Sequence, residues 1–345
     1  MQLAKYVTLY ALLSYAQHAA ALDAPAALIP SDLNPGDQFY IIFAGSDVVN
    51  GAQTSATYTA YAAAVKANDP DTDAINGWTT LFGHDDSSLV TLSAFGAGTS
   101  YPIYNTNGDR VANNTAGLFS NSLNNPIGYD ESGTAVNSSI WTGFNFTGSS
   151  TGIGDDSLGG NDSLSDGCLA GSSNQVNNQW AASILAGGNG CAGASYGLYV
   201  VSPLLSVPAP VVSISPDTID FGIVGASETS NEYTVTLSNS GTADWEISSI
   251  DAAVSPFVAS GGTCGSAPLI IAVGSSCTLS FTVRPGGSSF VSQTVLINSN
   301  APSSPDAITL KRRVIVPVPA LNLNMLVLLI TMLAAVVGLH MRRTA

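Results

Sequence analysis

Nineteen consecutive residues near the C-terminus, Leu321 to Leu339 (LNLNMLVLLITMLAAVVGL), carry no charge. As a helix rising about 1.5 Å per residue, such a run nearly matches a hydrocarbon core of about 30 Å. It therefore predicts a transmembrane helix over 321–339. Arg342 and Arg343 follow it, and all 24 Asp and Glu lie between Asp23 and Asp306. The positive-inside rule then leaves the short tail cytoplasmic and the bulk outside. At the other end, Lys5 precedes an apolar stretch from Tyr6 to Ala16, and Ala19 and Ala21 satisfy the small-x-small cleavage pattern of a secretory signal peptide over 1–21.

Composition agrees with export. Between Asp23 and Val316, 24 acidic residues face six basic ones, a formal charge near −18. Nucleic acid is excluded as a partner, because phosphate recognition needs a basic stripe that this region lacks. The four cysteines fall as two close pairs, Cys168 with Cys191 and Cys264 with Cys277. In an exported chain this spacing predicts two local structural disulfides, and it lacks the tight C-x-x-C arrangement of a zinc site.

The region 23–203 reads as an α+β domain. QFYIIFAGS (Gln38 to Ser46) suits a buried strand. In the following segment Thr54 or Ser55 can cap a helix whose apolar face is Tyr58, Tyr61, Ala62 and Val65, ended by Pro70. A lone strand follows at GWTTLFG, then an Asn107-Gly108 turn between two apolar runs signals a hairpin. Short strands are predicted around Trp141 and in the closing GLYVVS. A Pro-spaced linker over 204–210 leads into 211–316. There TIDFGIV, EYTVTLSNSG, WEISSIDA, CTLSFTVRP, FVSQTVLINSN and AITLKRRVIV recur at short spacing, which predicts an antiparallel β-sandwich.

Three segments resemble known families. VPVPAL, an apolar helix and a terminal HMRR resemble sorting signals of the PEP-CTERM and IPTL-CTERM type, with Pro317 and Pro319 in the motif and Arg342 and Arg343 in the basic cluster. The resemblance implies a tail over 317–345 recognised by a membrane processing enzyme, although Asn322 and Asn324 replace the Ser and Trp often found after the motif. SPDTIDFGIV, TVTLSNSGTADWEISSI, TCG, SSCTLSFTVRP and INSNAPSSP resemble the ASH or hydin-like immunoglobulin-type domain, also called choice-of-anchor D. That likeness implies a spacer or interaction module without catalytic residues.

PIYNTNGDRVA, NNPI, IWTGFN, Cys168, Trp180, Cys191 and LYVVS, in that order, resemble the C-type-lectin-like fold in its endostatin-like variants. This implies core positions at Trp141, Gly143, Trp180 and Leu198. The calcium-dependent sugar motif of that family is missing. Asn124, Asn125 and Pro126 give Asn-Asn-Pro, and Asn177 and Asn178 precede Trp180 where acidic residues should follow. The expected fold class is thus mainly β: a C-type-lectin-like α+β domain, an immunoglobulin-like sandwich and one C-terminal transmembrane helix.

Candidate chemistry is sparse. Asp155, Asp156, Asn161, Asp162 and Asp166 gather oxygen ligands in one Gly-rich loop and are candidate calcium ligands, set against a merely solvated acidic loop. No other cofactor is implied. His84 beside Asp85 and Asp86 reads as an exposed loop histidine, and no nucleophile elbow, HExxH, P-loop or dinucleotide fingerprint occurs. Asp130 and Glu131 are the carboxylates considered for a glycoside-hydrolase pair. The expectation is a non-enzymatic protein of the cell envelope or surface, anchored by its tail or released after processing, whose head associates with extracellular polysaccharide or surface proteins. A purely structural envelope or matrix component and a carboxylate-dependent secreted hydrolase are the alternatives.

Overall fold

The computed structural model describes residues 21–84, 95, 100–144, 147, 158, 168–186, 190–225, 227–285, 290–313 and 323–343. The chain divides into two compact units, Met1–Ala209 and Pro210–Ala345. The expected signal peptide lies outside the described residues, apart from Ala21.

Among the described residues the first unit, here the head, carries eleven strands in one sheet: β1 (Leu22–Asp23), β2 (Gln38–Ala44), β3 (Val49–Asn50), β4 (Thr79–Leu81), β5 (Ile103–Tyr104), β6 (Arg110–Ala112), β7 (Ser139–Trp141), β8 (Cys168–Ser172), β9 (Ile184–Ala186), β10 (Ser195–Val201) and β11 (Leu205–Ser206). The principal path runs β1-β11-β2-β10-β7-β8-β9. The centre is the antiparallel pair β2 and β10, in register at Tyr199 with Ala44 and Val201 with Ile42. Both strands are buried on both faces, which explains why QFYIIFA is continuously apolar instead of alternating. Phe39, Ile41, Phe43, Leu198 and Val200 enter one core, while Tyr40, Ile42, Tyr199 and Val201 enter the other.

The helix Ser55–Val65 closes the first core with Tyr58, Tyr61, Ala62 and Val65, the four residues its spacing predicts. Its N-cap is Thr54, whose side chain accepts from the Thr57 amide. Pro70 does more than end this helix. It occupies the first turn of a second, four-residue helix, Pro70–Asp73, capped by Asp69, because a missing N–H costs nothing there. The Asn107-Gly108 turn joins β5 to β6, with Gly108 at φ +84°. The strand expected in GWTTLFG is β4, which pairs with β10. The linker expected over 204–210 also needs correction. Leu205–Ser206 pairs with β1 and β2, and Leu205 and Val207 are buried on either side of Ser206, so their alternation serves the head core.

Burial sets the alkaline behaviour of this core. It pushes the Tyr58 phenol up to about 12, against the lowering effect of the Gln53 amide, and raises Tyr61 and Tyr199 further. An unfolded tyrosine ionises near 10.0, so above that pH the unfolded chain binds fewer protons than the folded one and stability falls. The stabilisation is complete below pH 10 and drains away as pH rises through about 12. The expected result is a thermal midpoint that drops over that window, with a fraction of the 12 tyrosines ionising only on unfolding. Ultraviolet titration in which every tyrosine ionises near 10 with no loss of fold would contradict it.

The second unit holds β12 (Val212–Ser215), β13 (Thr218–Ile223), β14 (Tyr233–Asn239), β15 (Trp245–Ile250), β16 (Phe257–Gly261), β17 (Leu269–Ile271), β18 (Ser276–Val283), β19 (Phe290–Ser299) and β20 (Asp306–Arg313). They form two sheets, β12-β14-β18-β16 and β13-β20-β19-β15-β17, around a core that includes Trp245, Phe257, Phe281 and Ile308. This is an immunoglobulin-like sandwich. It is not wholly antiparallel: after Ser215 the chain changes sheets, and β13 lies parallel to β20.

A helix spans Leu323–Arg343. Its described side chains include thirteen consecutive ones, 325–337, about 20 Å of helix at 1.5 Å per residue. Among the described residues, no helix is long and apolar enough to cross a membrane. The side chains of 321–324 and 338–339, which the expected span includes, lie outside those residues, as do Pro317 and Pro319 and the side chains of Arg342 and Arg343.

Candidate functional site

Both predicted disulfides are present, Cys168–Cys191 in the head and Cys264–Cys277 in the sandwich. The candidate calcium ligands Asp155, Asp156, Asn161, Asp162 and Asp166 lie outside the described residues. Among the described residues, no group of three or more His, Cys, Asp or Glu is placed to hold a metal.

His84 is not the exposed loop residue that its polar neighbours suggest. It is 8% exposed, its Nε2 lies 3.1 Å from the Gln53 carbonyl, and its ring packs near Tyr58 and Phe82. The backbone pairing of His84 with Leu158 draws it into the sheet margin, which local composition could not reveal. Asp85 and Asp86 lie outside the described residues.

Asp130 and Glu131 have separate tasks. Asp130 Oδ1 accepts from the Ser132 and Thr134 amides and the Ser132 hydroxyl, closing its own turn. Glu131 is 3% exposed, and its carboxylate accepts the amide and hydroxyl of Ser46 and the Asn68 side-chain amide. A buried carboxyl group left without such partners would cost several kcal/mol of desolvation, on the order of the 2–7 kcal/mol of a buried unpaired polar group. The effect of this pairing is to fasten the Gly45–Ser46 bend to two other segments of the head.

That bend is one wall of the head's candidate site, a cleft of about 500 Å³. The floor is the start of β10, Ser195 to Gly197. Gly45, Ser46 and Val48 form one wall, and Val136, Asn137, Ser138 and Ser139 the other. The cleft exists because β10 outruns its neighbours: it pairs with β3 on one side and, from Gly197, with β7 on the other. Two glycines permit the close approach. A side chain at Gly45 would strike the Tyr61 ring, and one at Gly197 the Gly45 carbonyl.

The floor is braced from beneath. Tyr196 packs on Trp141 with ring centroids 4.6 Å apart, and the Trp141 indole donates to the Val49 carbonyl. The Asn50 side-chain amide donates to the Ala192 carbonyl, beside the Cys168–Cys191 bridge. The lining is therefore two valines, Val48 and Val136, several hydroxyls, one amide and one half-buried aromatic ring, with no charged side chain among the described residues. Such a surface offers apolar contacts from Val48, Val136 and the Tyr196 ring, and hydrogen bonds from short uncharged polar groups. Sequence reading missed this cleft because its residues come from three separated stretches, 45–48, 136–139 and 195–197.

Comparison with known proteins identifies the sandwich only. A family model described as HYDIN/CFA65/VesB-like, Ig-like domain matches residues 210–313. Among solved structures, a protein of unknown function from Porphyromonas gingivalis W83 is 18% identical, with 37% of this chain and 58% of that chain covered and a TM-score of 0.26. The ASH/PapD-like domain 7 of human CEP192 is 20% identical, over 30% of this chain and 84% of that one, at a TM-score of 0.23. The Vibrio cholerae VesB protease is 12% identical, over 35% and 38%, at 0.25. The chain thus spans little more than half the length of the Porphyromonas protein. A search of curated proteins returns no match.

Proposed function

We propose that this chain is an exported, non-enzymatic surface protein, held by one C-terminal transmembrane helix, whose head binds extracellular polysaccharide and whose Ig-like unit serves as its stalk. The observation that carries the reading is the Leu323–Arg343 helix. Every residue from Met325 to Val337 is exposed, and Leu326, Val327, Leu328 and Leu329, each turned about 100° from the one before, lie on different sides of it. A helix apolar all round is a buried or a membrane-spanning helix. Its one hydroxyl in that stretch, on Thr331, donates to the Leu328 carbonyl at 2.9 Å, so the side chain needs no water. With the uncharged flanking residues 321–324 and 338–339, the stretch reaches the length of a bilayer core.

The Pro317 and Pro319 motif, the helix and Arg342 and Arg343 support a sorting signal read by a processing enzyme, preceded at the other terminus by a secretory leader. The C-type-lectin-like reading of the head is supported by the complete burial of Trp141, Trp180 and Leu198 and by the bridge between Cys168 and Cys191. The ligand-binding part of the proposal rests on the Tyr196 cleft.

The test is binding of the full chain in detergent to a polysaccharide array and to the producer's own matrix, with calcium and with chelator. Wild-type protein is expected to bind and Tyr196→Ala to lose most of that binding, while keeping the wild-type melting temperature to within a few degrees. Chelator-sensitive binding would assign calcium to the 155–166 loop. Absence of binding under both conditions would leave the purely structural reading.

A further inference from the structure

The end of the Ig-like unit from which the chain departs toward the apolar helix carries large exposed apolar side chains. Strand β20 delivers the chain there at Arg313. In register with Arg313 stand Ile223 on one side and Phe290 on the other, so the three side chains form one outward row. Ile223 is 63% and Phe290 57% exposed. At the same end Tyr233 opens β14, is 41% exposed, and sets its ring 5.1 Å from Phe221 across the two sheets. A sandwich core 17 residues strong, with the inward alternation of Val235 and Leu237, had no need to leave these large groups in water.

We infer that this rim, Ile223, Tyr233, Phe290 and Arg313, seats in the interfacial layer of the same bilayer that the C-terminal helix enters. The inference rests on the transmembrane reading above and adds a second, peripheral contact to it. Chain length argues for this occupant. Only nine residues, 314–322, separate β20 from the helix, at most about 30 Å even when fully extended. The rim is therefore the part of the sandwich kept nearest to lipid. Its chemistry fits the place: aromatic and aliphatic side chains beside an arginine are the residues that settle at a membrane–water boundary. Glu228 and Glu232 accompany Arg284 and Arg313 at this end, so the surface addressed is the boundary layer itself and not a particular headgroup charge. The consequence is orientational. A stalk held at two points stands in a fixed attitude, whereas one on a single tether would swing.

The experiment reconstitutes the full chain in vesicles of a zwitterionic lipid, with bromine atoms placed either near the glycerol or deep in the acyl chains. Three variants each add one tryptophan: Phe290→Trp in the rim, Leu329→Trp in the helix, and Ile270→Trp. Ile270 is exposed near the opposite end of β19, a strand of ten residues and so about 30 Å long. The expected result is that shallow bromines remove most of the emission added by Phe290→Trp, deep bromines that of Leu329→Trp, and neither that of Ile270→Trp. Quenching of Leu329→Trp alone would overturn the rim contact and leave the anchor standing. Quenching of none of the three would overturn the transmembrane reading and the rim contact with it. Equal quenching of Phe290→Trp and Ile270→Trp would show a unit lying flat on lipid, which also overturns the rim.

Discussion

Replacement of Trp180 by alanine is expected to destabilise the head by about 3–5 kcal/mol, the range for removing a fully buried tryptophan. Trp180 is wholly buried and packs its ring about 6 Å from those of Phe119, Phe144 and Tyr199. Its backbone is equally engaged. The Tyr199 hydroxyl donates to the Trp180 carbonyl, and the Thr142 hydroxyl to that of Ala181. Beneath it, Gly171 has no room for a side chain, which would strike the Trp180 carbonyl. The site cannot collapse onto an alanine without moving three aromatic rings. Trp180→Phe is expected to cost clearly less. It keeps an aromatic ring, and it removes an indole N–H that has no hydrogen-bond partner among the described residues, a burden of about 1–3 kcal/mol. Urea unfolding of both variants checks the pair, and equal losses would contradict this account of the core.

The second large effect is expected from Cys168→Ala with Cys191→Ala. The bridge spans 23 residues, and the loop-entropy argument assigns it about 3 kcal/mol. For a unit of this size that corresponds to a fall of about 6–12 °C in Tm. The bridge also ties the start of β8 to the Gly190–Gly193 turn, whose Ala192 carbonyl holds Asn50 beside the cleft floor. Its loss should therefore weaken any ligand of the Tyr196 cleft along with stability. The Cys264–Cys277 bridge spans 13 residues in the other unit, and its removal should leave cleft binding unchanged. Calorimetry and binding on the two double variants separate these outcomes, and identical binding losses would contradict the assignment of the cleft to the head.

Much of the local structure was legible because its signals are local. The Thr54 cap, the spacing of Tyr58, Tyr61, Ala62 and Val65, the Asn107-Gly108 turn and the cysteine pairs each act within a few turns of chain. The sandwich was legible as a series of alternating segments, confirmed as Ig-like by the match over 210–313. What escaped was long-range. Strands β16 and β17 were not anticipated: three of the five residues of β16 are alanine, serine and glycine, and β17 has three residues, too few to show a period. The parallel contacts of β13 with β20 and of β7 with β10 follow from where distant segments arrive, not from their composition. Glu131 looked like half of a catalytic pair because its partners, Ser46 and Asn68, are 85 and 63 residues away. The cleft escaped for the same reason.

The most direct test of the central claim is the topology of the chain in the cells that make it. Intact cells are treated with a membrane-impermeant protease, and their membranes are then extracted at alkaline pH. The account predicts that the head and Ig-like units are cut from outside while a C-terminal fragment stays in the membrane pellet. A chain that is protected in intact cells, or that leaves the membrane entirely on alkaline extraction without prior processing of its tail, would contradict it.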